Sequence, residues 1–203
     1  MRLSSGPPPS NSTKVFREWA TRKHAAEKRK RGPKQGHSKK ASTLLPLSVF
    51  VVTIPQVLAG EGIRKAKRVG WRHFGFGKTV KHTISAEILA VGNRHRVART
   101  YGLKPSSIVS RALRSLATKH SRTKKYVGIS LVKIPPLVAL AVWVRSRNAK
   151  EDLIFPLESV VPELQRRTAR PYVDVLPLLQ RSAKALVSQS QALEAKLREG
   201  RSE

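Results

Sequence analysis

Residues 105 to 119 read PSSIVSRALRSLATK, a run of small hydroxyls and guanidinium groups with no acid among them. Wound as a helix, Val109, Ala112, Leu113 and Leu116 fall at i, i+3, i+4 and i+7 and form an apolar stripe. Ser106, Ser107, Ser110, Arg111 and Arg114 are then left to face outward. That set suits the edges of base pairs, because the arginine fork bonds guanine in bidentate fashion and serine reaches a base edge or a phosphate. Arg94, Arg96 and Lys104, just upstream, are placed to hold the flanking phosphates.

Such a reading helix needs two others to carry it. TISAEILAV, residues 83 to 91, accommodates the first, with Ile84, Ile88 and Val91 on one side and a break at Gly92-Asn93. RHRVARTYG, residues 94 to 102, accommodates the second and ends on a glycine free to take the turn between crossing helices. Pro105 then suits the first turn of the third, where its missing N–H costs nothing.

VARTYGLKPSSIVSRALRSL, residues 97 to 116, resembles the helix-turn-helix of bacterial repressors and transposase-like proteins. Ala98 precedes the turn glycine, Gly102, by four positions, and S-x-x-V-S-R opens the third helix at Ser106. The resemblance implies a reader of duplex DNA. It departs from the usual spacing by one residue, since Arg111 stands three after Ile108 where an apolar residue is usual. The plainer reading of 84–120 is an amphipathic helical hairpin with a solvated basic face.

The charge agrees with a polyanionic partner. There are 41 Lys and Arg against 12 Asp and Glu, a formal net charge of +29. Residues 151–203 hold eight acids and eight bases, so all of the net charge lies in residues 1–150. Neutralising phosphates releases condensed counterions, which makes nucleic acid the first expectation and anionic lipid the alternative. The same asymmetry divides the chain into a basic arm at 1–40, a basic DNA-binding domain at 41–147 and a neutral part at 148–203.

Within the arm, the Pro- and Ser-rich start is expected to be disordered, and a helix is expected from Thr13 to Arg31, ended by Gly32-Pro33. Lys28, Arg29, Lys30 and Arg31 would add sequence-independent phosphate contacts. The start lacks the apolar stretch of a secretory signal, so the expected location is cytoplasmic and nucleoid-associated, or nuclear in a eukaryote.

Residues 41–60 carry no charge until Glu61. LSVFVVTI, between Pro46 and Pro55, has the β-branched content of a core strand, with a buried helix or a membrane span as the competing readings. Trp71, Phe74 and Phe76 among lysines and arginines either stack on bases or tuck into the core. GFGKT is not a phosphate loop, because Arg72 stands where its first glycine would be.

YVGISLVKI (126–134) reads as a strand, and LVALAVWV (137–144) as a second strand, making a wing, or as a helix entered through Pro135-Pro136. Pro156, Pro162, Pro171 and Pro177 suggest a loop-rich connector. Leu176, Ala183, Ser190 and Leu197, with Leu179, Leu186 and Leu193, then repeat in heptads that either dimerise the chain through 176–197 or pack on its own domain.

Catalysis finds little support. Glu61 and Glu87 are the sole acids from residue 28 to 150, too few to hold catalytic divalent ions, and the six histidines lack ligand spacing. There is no cysteine for thiol chemistry. No cofactor and no metal are expected. The expected fold class is therefore α+β, a helix-turn-helix or winged-helix-like domain with a disordered basic arm and a C-terminal helix. The expected function is non-enzymatic duplex-DNA binding, as a regulator or replication accessory of a bacterial genome or mobile element, through the helix at 105–119. A structural RNA-binding protein of a ribosomal or ribonucleoprotein particle is the first alternative, and a membrane-anchored basic protein the second.

Overall fold

The computed structural model describes residues 10–31, 42–61, 63–76, 84–91, 94–101, 109, 112, 126–165 and 168–199. Helix α1 (Ser10–Arg31) precedes β1 (Ser42–Val51), the short α2 (Ile54–Leu58), β2 (Lys67–Phe76), β3 (Ile84–Val91) and β4 (Arg94–Tyr101). Then come β5 (Tyr126–Ile134), β6 (Ala139–Ser146), β7 (Leu153–Glu158), the two-residue β8 (Arg170–Pro171) and α3 (Tyr172–Glu199).

The eight strands form one sheet in the order β4-β3-β2-β1-β5-β6-β7-β8. Two antiparallel meanders, β1 to β4 and β5 to β8, spread outward from the centre. They meet where β1 runs parallel to β5, with Val49 opposite Leu131.

The helix-turn-helix and winged-helix expectation is thereby overturned. Residues 84–91 and 94–101, expected as the two supporting helices, are the antiparallel strands β3 and β4. The physical reason is that ISAEILAV satisfies both periods. Read by twos, it puts Ala86 and Ile88 on one face and Ser85 and Glu87 on the other, and all four are buried between layers. The segments read as a wing are also central: β5 pairs with both β1 and β6, and β6 with β7. The expected loop-rich connector contains β7, β8 and the first turns of α3, and Pro177 lies inside that helix.

The apolar run at 41–60 is strand β1 followed by α2. Pro46, which has no N–H for a ladder, falls where the β1–β2 register slips between Leu44 and Leu47. Thr53 and Gln56 cap α2 reciprocally, the Thr53 hydroxyl accepting from the Gln56 N–H and the Gln56 side chain accepting from the Thr53 N–H. Among the described residues no helix is long and apolar enough to cross a membrane.

One face of the sheet is covered by helices. Phe16 and Ala20 of α1 pack on Ala86 and Ile88 over the first meander. Tyr172, Val175, Leu179 and Ala183 of α3 pack with Trp143, Val132 and Ile154 over the second. The heptad seam of α3 is thus engaged inside the chain at its start, while Leu193 and Leu197 remain about three-fifths exposed (60% and 58%). On the opposite face Leu47, Val49, Phe74, Leu131 and Val142 form a second core together with Val109 and Ala112. The apolar side expected of residues 105–119 is therefore buried at those two positions, each of which is helical.

Two backbone sites carry constraint. A Cβ on Gly70 would stand 2.2 Å from the Ile88 carbonyl oxygen, so β2 and β3 meet there only through a glycine. Val138, in the β5–β6 turn, has φ 44°, a left-handed conformation that β-branched residues resist. Its side chain is mostly exposed. Val138→Gly is accordingly expected to stabilise the protein by about 1 kcal/mol, the relieved strain exceeding the added freedom of the unfolded chain. Urea denaturation reads this as a higher midpoint at constant slope; a lower midpoint would mean that the turn carries no strain.

Candidate nucleic-acid interface

β4 is an edge strand of the sheet, and its sequence RHRVARTY brings three arginines to it. Opposite residues of an antiparallel pair share a face. Arg94 lies opposite Val91, Arg96 opposite Leu89, and then the register slips so that Val97 faces Ile88 while Arg99 faces Glu87. The bulge at Ala98 has a definite effect: it brings Arg99 and Tyr101 into phase with Arg94 and Arg96. All three arginines are exposed. Strand rise spaces Arg94 and Arg96 by about 7 Å. Charged edges also keep a strand from pairing with other chains, so the row has a plain structural use beside any ligand.

Beneath this row lies a partly buried polar cluster drawn from four strands. Glu87 of β3 accepts a hydrogen bond from the Tyr101 hydroxyl at 2.7 Å and pairs with the Lys133 ammonium, which reaches across from β5. Lys133 Nζ also donates to the Tyr101 hydroxyl oxygen at 3.2 Å. Arg72 of β2, opposite Glu87 in the ladder, is fully buried. Its Nε donates to Ser85 Oγ at 3.2 Å, and its guanidinium lies over the Tyr101 ring, 3.7 Å from the centroid, and against the Phe74 ring at 5.4 Å. Burial pushes Arg72 and Lys133 below their ordinary values. Burial first, and then the bond to Glu87, pushes Tyr101 up to about 12.

On the helix-covered face, His73 is buried beneath α1. Its Nε2 lies 3.2 Å from Ser12 Oγ, and its ring stacks on Phe16 at 5.2 Å. Trp71 beside it is also buried, with Arg68 over its ring at 5.0 Å. Trp71 and Phe74 are therefore core residues, the second of the two readings given to those aromatics. The Phe76 side chain lies outside what is described.

Of the residues expected from sequence to touch nucleic acid, the structure brings Arg94 and Arg96 together on one exposed strand face. Lys28, Arg29, Lys30 and Arg31 fall on the last turns of α1, without described side chains. Lys104, Ser106, Ser107, Ser110, Arg111 and Arg114 lie outside the described residues. Arg72, Arg99, Tyr101 and Lys133 join the site without having been expected from the sequence. One signal pointed to them: Glu87 is one of two acids in a long basic stretch, and an isolated acid there is a candidate counter-ion. Among the described residues no group of three or more His, Asp or Glu could hold a metal ion. Comparison with protein-family models, with curated proteins and with solved structures finds no match.

Proposed function

We propose that this chain is a non-enzymatic nucleic-acid-binding protein that holds a sugar–phosphate backbone along β4, in the manner of a structural component of a ribonucleoprotein particle. The observation that carries this reading is the in-phase row Arg94, Arg96 and Arg99, exposed on the edge strand of a chain with net charge +29. An open strand face suits an extended single strand, whose phosphates follow a line of cations without the groove a duplex reader needs. The duplex-reading mode expected from the sequence depends on a tri-helical unit, and the two segments expected to support its reading helix are strands. RNA therefore replaces duplex DNA as the favoured partner.

Fluorescence anisotropy with single-stranded RNA, single-stranded DNA and duplex DNA, each titrated across salt, tests the proposal. The Arg94→Ala/Arg96→Ala/Arg99→Ala variant should bind single strands about 10–100-fold more weakly near physiological salt. The slope of log K against log salt should become shallower by about 2, at about 0.7 for each phosphate no longer neutralised. An unchanged slope removes β4 as the contact surface. Tighter binding to one duplex sequence than to any single strand would return the protein to the DNA-reading class.

A further inference from the structure

Arg72 is the one fully buried guanidinium among the described residues, and both of its terminal nitrogens, Nη1 and Nη2, lack a hydrogen-bond acceptor. Its two ring contacts and the Nε bond to Ser85 fix the group as a flat plate. The edge bearing the two free nitrogens is the geometry that grips two oxygens of one anion. Charge around it is also unbalanced. Among the described residues Glu87 is the one carboxylate paired across the strands with Arg72 and Arg99, and it is already engaged by Lys133 and the Tyr101 hydroxyl. Glu158 acts on Arg72 only through space and is itself exposed. A buried unpaired cation is costly, which gives a second anion a large binding advantage.

We propose that Arg72, flanked by Lys133 and Tyr101, forms a seat for a tetrahedral phosphate group of the phosphomonoester class. Both nitrogens are closed off from solvent, so a phosphate must enter by displacing the outermost members of the cluster, Lys133, whose side chain is 17% exposed, and the half-buried Tyr101. A phosphate inside a continuous strand carries a sugar on each side and cannot follow that route, whereas a terminal or free phosphate can. Tyr101 follows Arg99 in phase, so the arginine row leads to the seat. In this form the assignment deepens the backbone-binding reading and rests on it for the source of the phosphate, though not for the seat itself.

Thermal unfolding of the full chain in phosphate against chloride of equal ionic strength is the first arm of the test. The wild type should gain about 3–5 °C, saturably, at phosphate about tenfold above its Kd. Arg72→Met should lose that gain, and Arg72→Lys, which keeps the charge without the fork, should weaken phosphate by about tenfold or more. Equal melting of the wild type in the two salts, or a full phosphate gain in Arg72→Met, overturns the seat. Single strands ending in a phosphate or in a hydroxyl form the second arm. About tenfold tighter binding of the phosphorylated end, gone in Arg72→Met, identifies a strand terminus as the source. Equal binding of both with the phosphate gain intact identifies free phosphate. Should no oligonucleotide bind while the phosphate gain stands, the backbone reading falls and the seat remains.

Discussion

Replacing Asp152 by alanine is expected to remove about 3–5 kcal/mol of stability, a third or more of what a domain of this kind has. The carboxylate is fully buried and accepts four hydrogen bonds. Two come from Arg64, through Nε at 3.0 Å and Nη2 at 2.8 Å. The others come from Trp143 Nε1 at 3.0 Å and the Ser146 N–H at 2.8 Å. The same Arg64 Nη2 donates to the Ser146 carbonyl, and the Asp152 carbonyl accepts from the Tyr172 N–H at 2.8 Å. One side chain thus ties the turn after α2 to the end of β6, while its backbone anchors the start of α3.

Arg64 is part-exposed and can turn to water after the substitution, so its share of the loss is small. The larger part comes from Trp143 Nε1 and the Ser146 N–H, each left buried without an acceptor at about 1–3 kcal/mol. Asp152→Asn should lose less, because the amide keeps one acceptor oxygen. Urea midpoints for the three proteins check the ordering. Should Asp152→Ala unfold within about 1 kcal/mol of the wild type, the network is not holding these elements together.

The second large effect depends on pH. Burial beneath α1 pushes His73 down to about 4 from its ordinary 6.5. Above the ordinary value the ring is neutral both folded and unfolded, and its contribution is fully present. As pH falls from 6.5 toward 4, the unfolded chain takes up a proton that the folded protein refuses. Stability is therefore lost through that window, by about 3 kcal/mol at about 1.4 kcal/mol per unit. The loss should be felt first at α1, because Phe16 stacks on the His73 ring and the Ser12 hydroxyl lies against its Nε2.

His73→Phe retains a ring for Phe16 and has no proton to gain. Subtracting its unfolding free energy from that of the wild type at pH 7 and again at pH 4.5 isolates the residue from the other histidines. The difference should shift by about 2–3 kcal/mol against the wild type at the lower pH. A difference that stays constant would show that His73 titrates at its ordinary value.

The sequence made the outer elements legible and the middle ambiguous. A helix over Thr13–Arg31 and another over 176–197 follow from apolar spacing, and α1 and α3 contain them. LSVFVVTI and YVGISLVKI are rich in β-branched residues, and both supply strands. Between Ile84 and Tyr101 the apolar residues are spaced so that either period can be drawn through them. The feature that separates the readings is the two-residue interval Gly92-Asn93 between two runs of equal length, which is a hairpin signal.

In β7 and α3 the prolines misdirect. Pro156 lies next to the register shift between Leu140 and Ala141, and Pro177 is exposed on its helix, so neither interrupts the packing. The polar cluster was not legible for a different reason. Arg72, Glu87, Tyr101 and Lys133 are far apart along the chain, and their meeting depends on strand order and on a one-residue bulge that no local pattern announces.

The joint between β1 and β5 also bears on how the protein assembles. Within each meander the pairing partners are near neighbours along the chain. The parallel joint instead closes a long loop for three residue pairs, Val49–Leu131, Phe50–Val132 and Val51–Lys133. Loop closure of that length is entropically unfavourable and is offset only when both apolar surfaces are already formed. The order of events expected from this is two locally folded ribbons first and their union last, with this joint the expected slow step on the way to the native sheet.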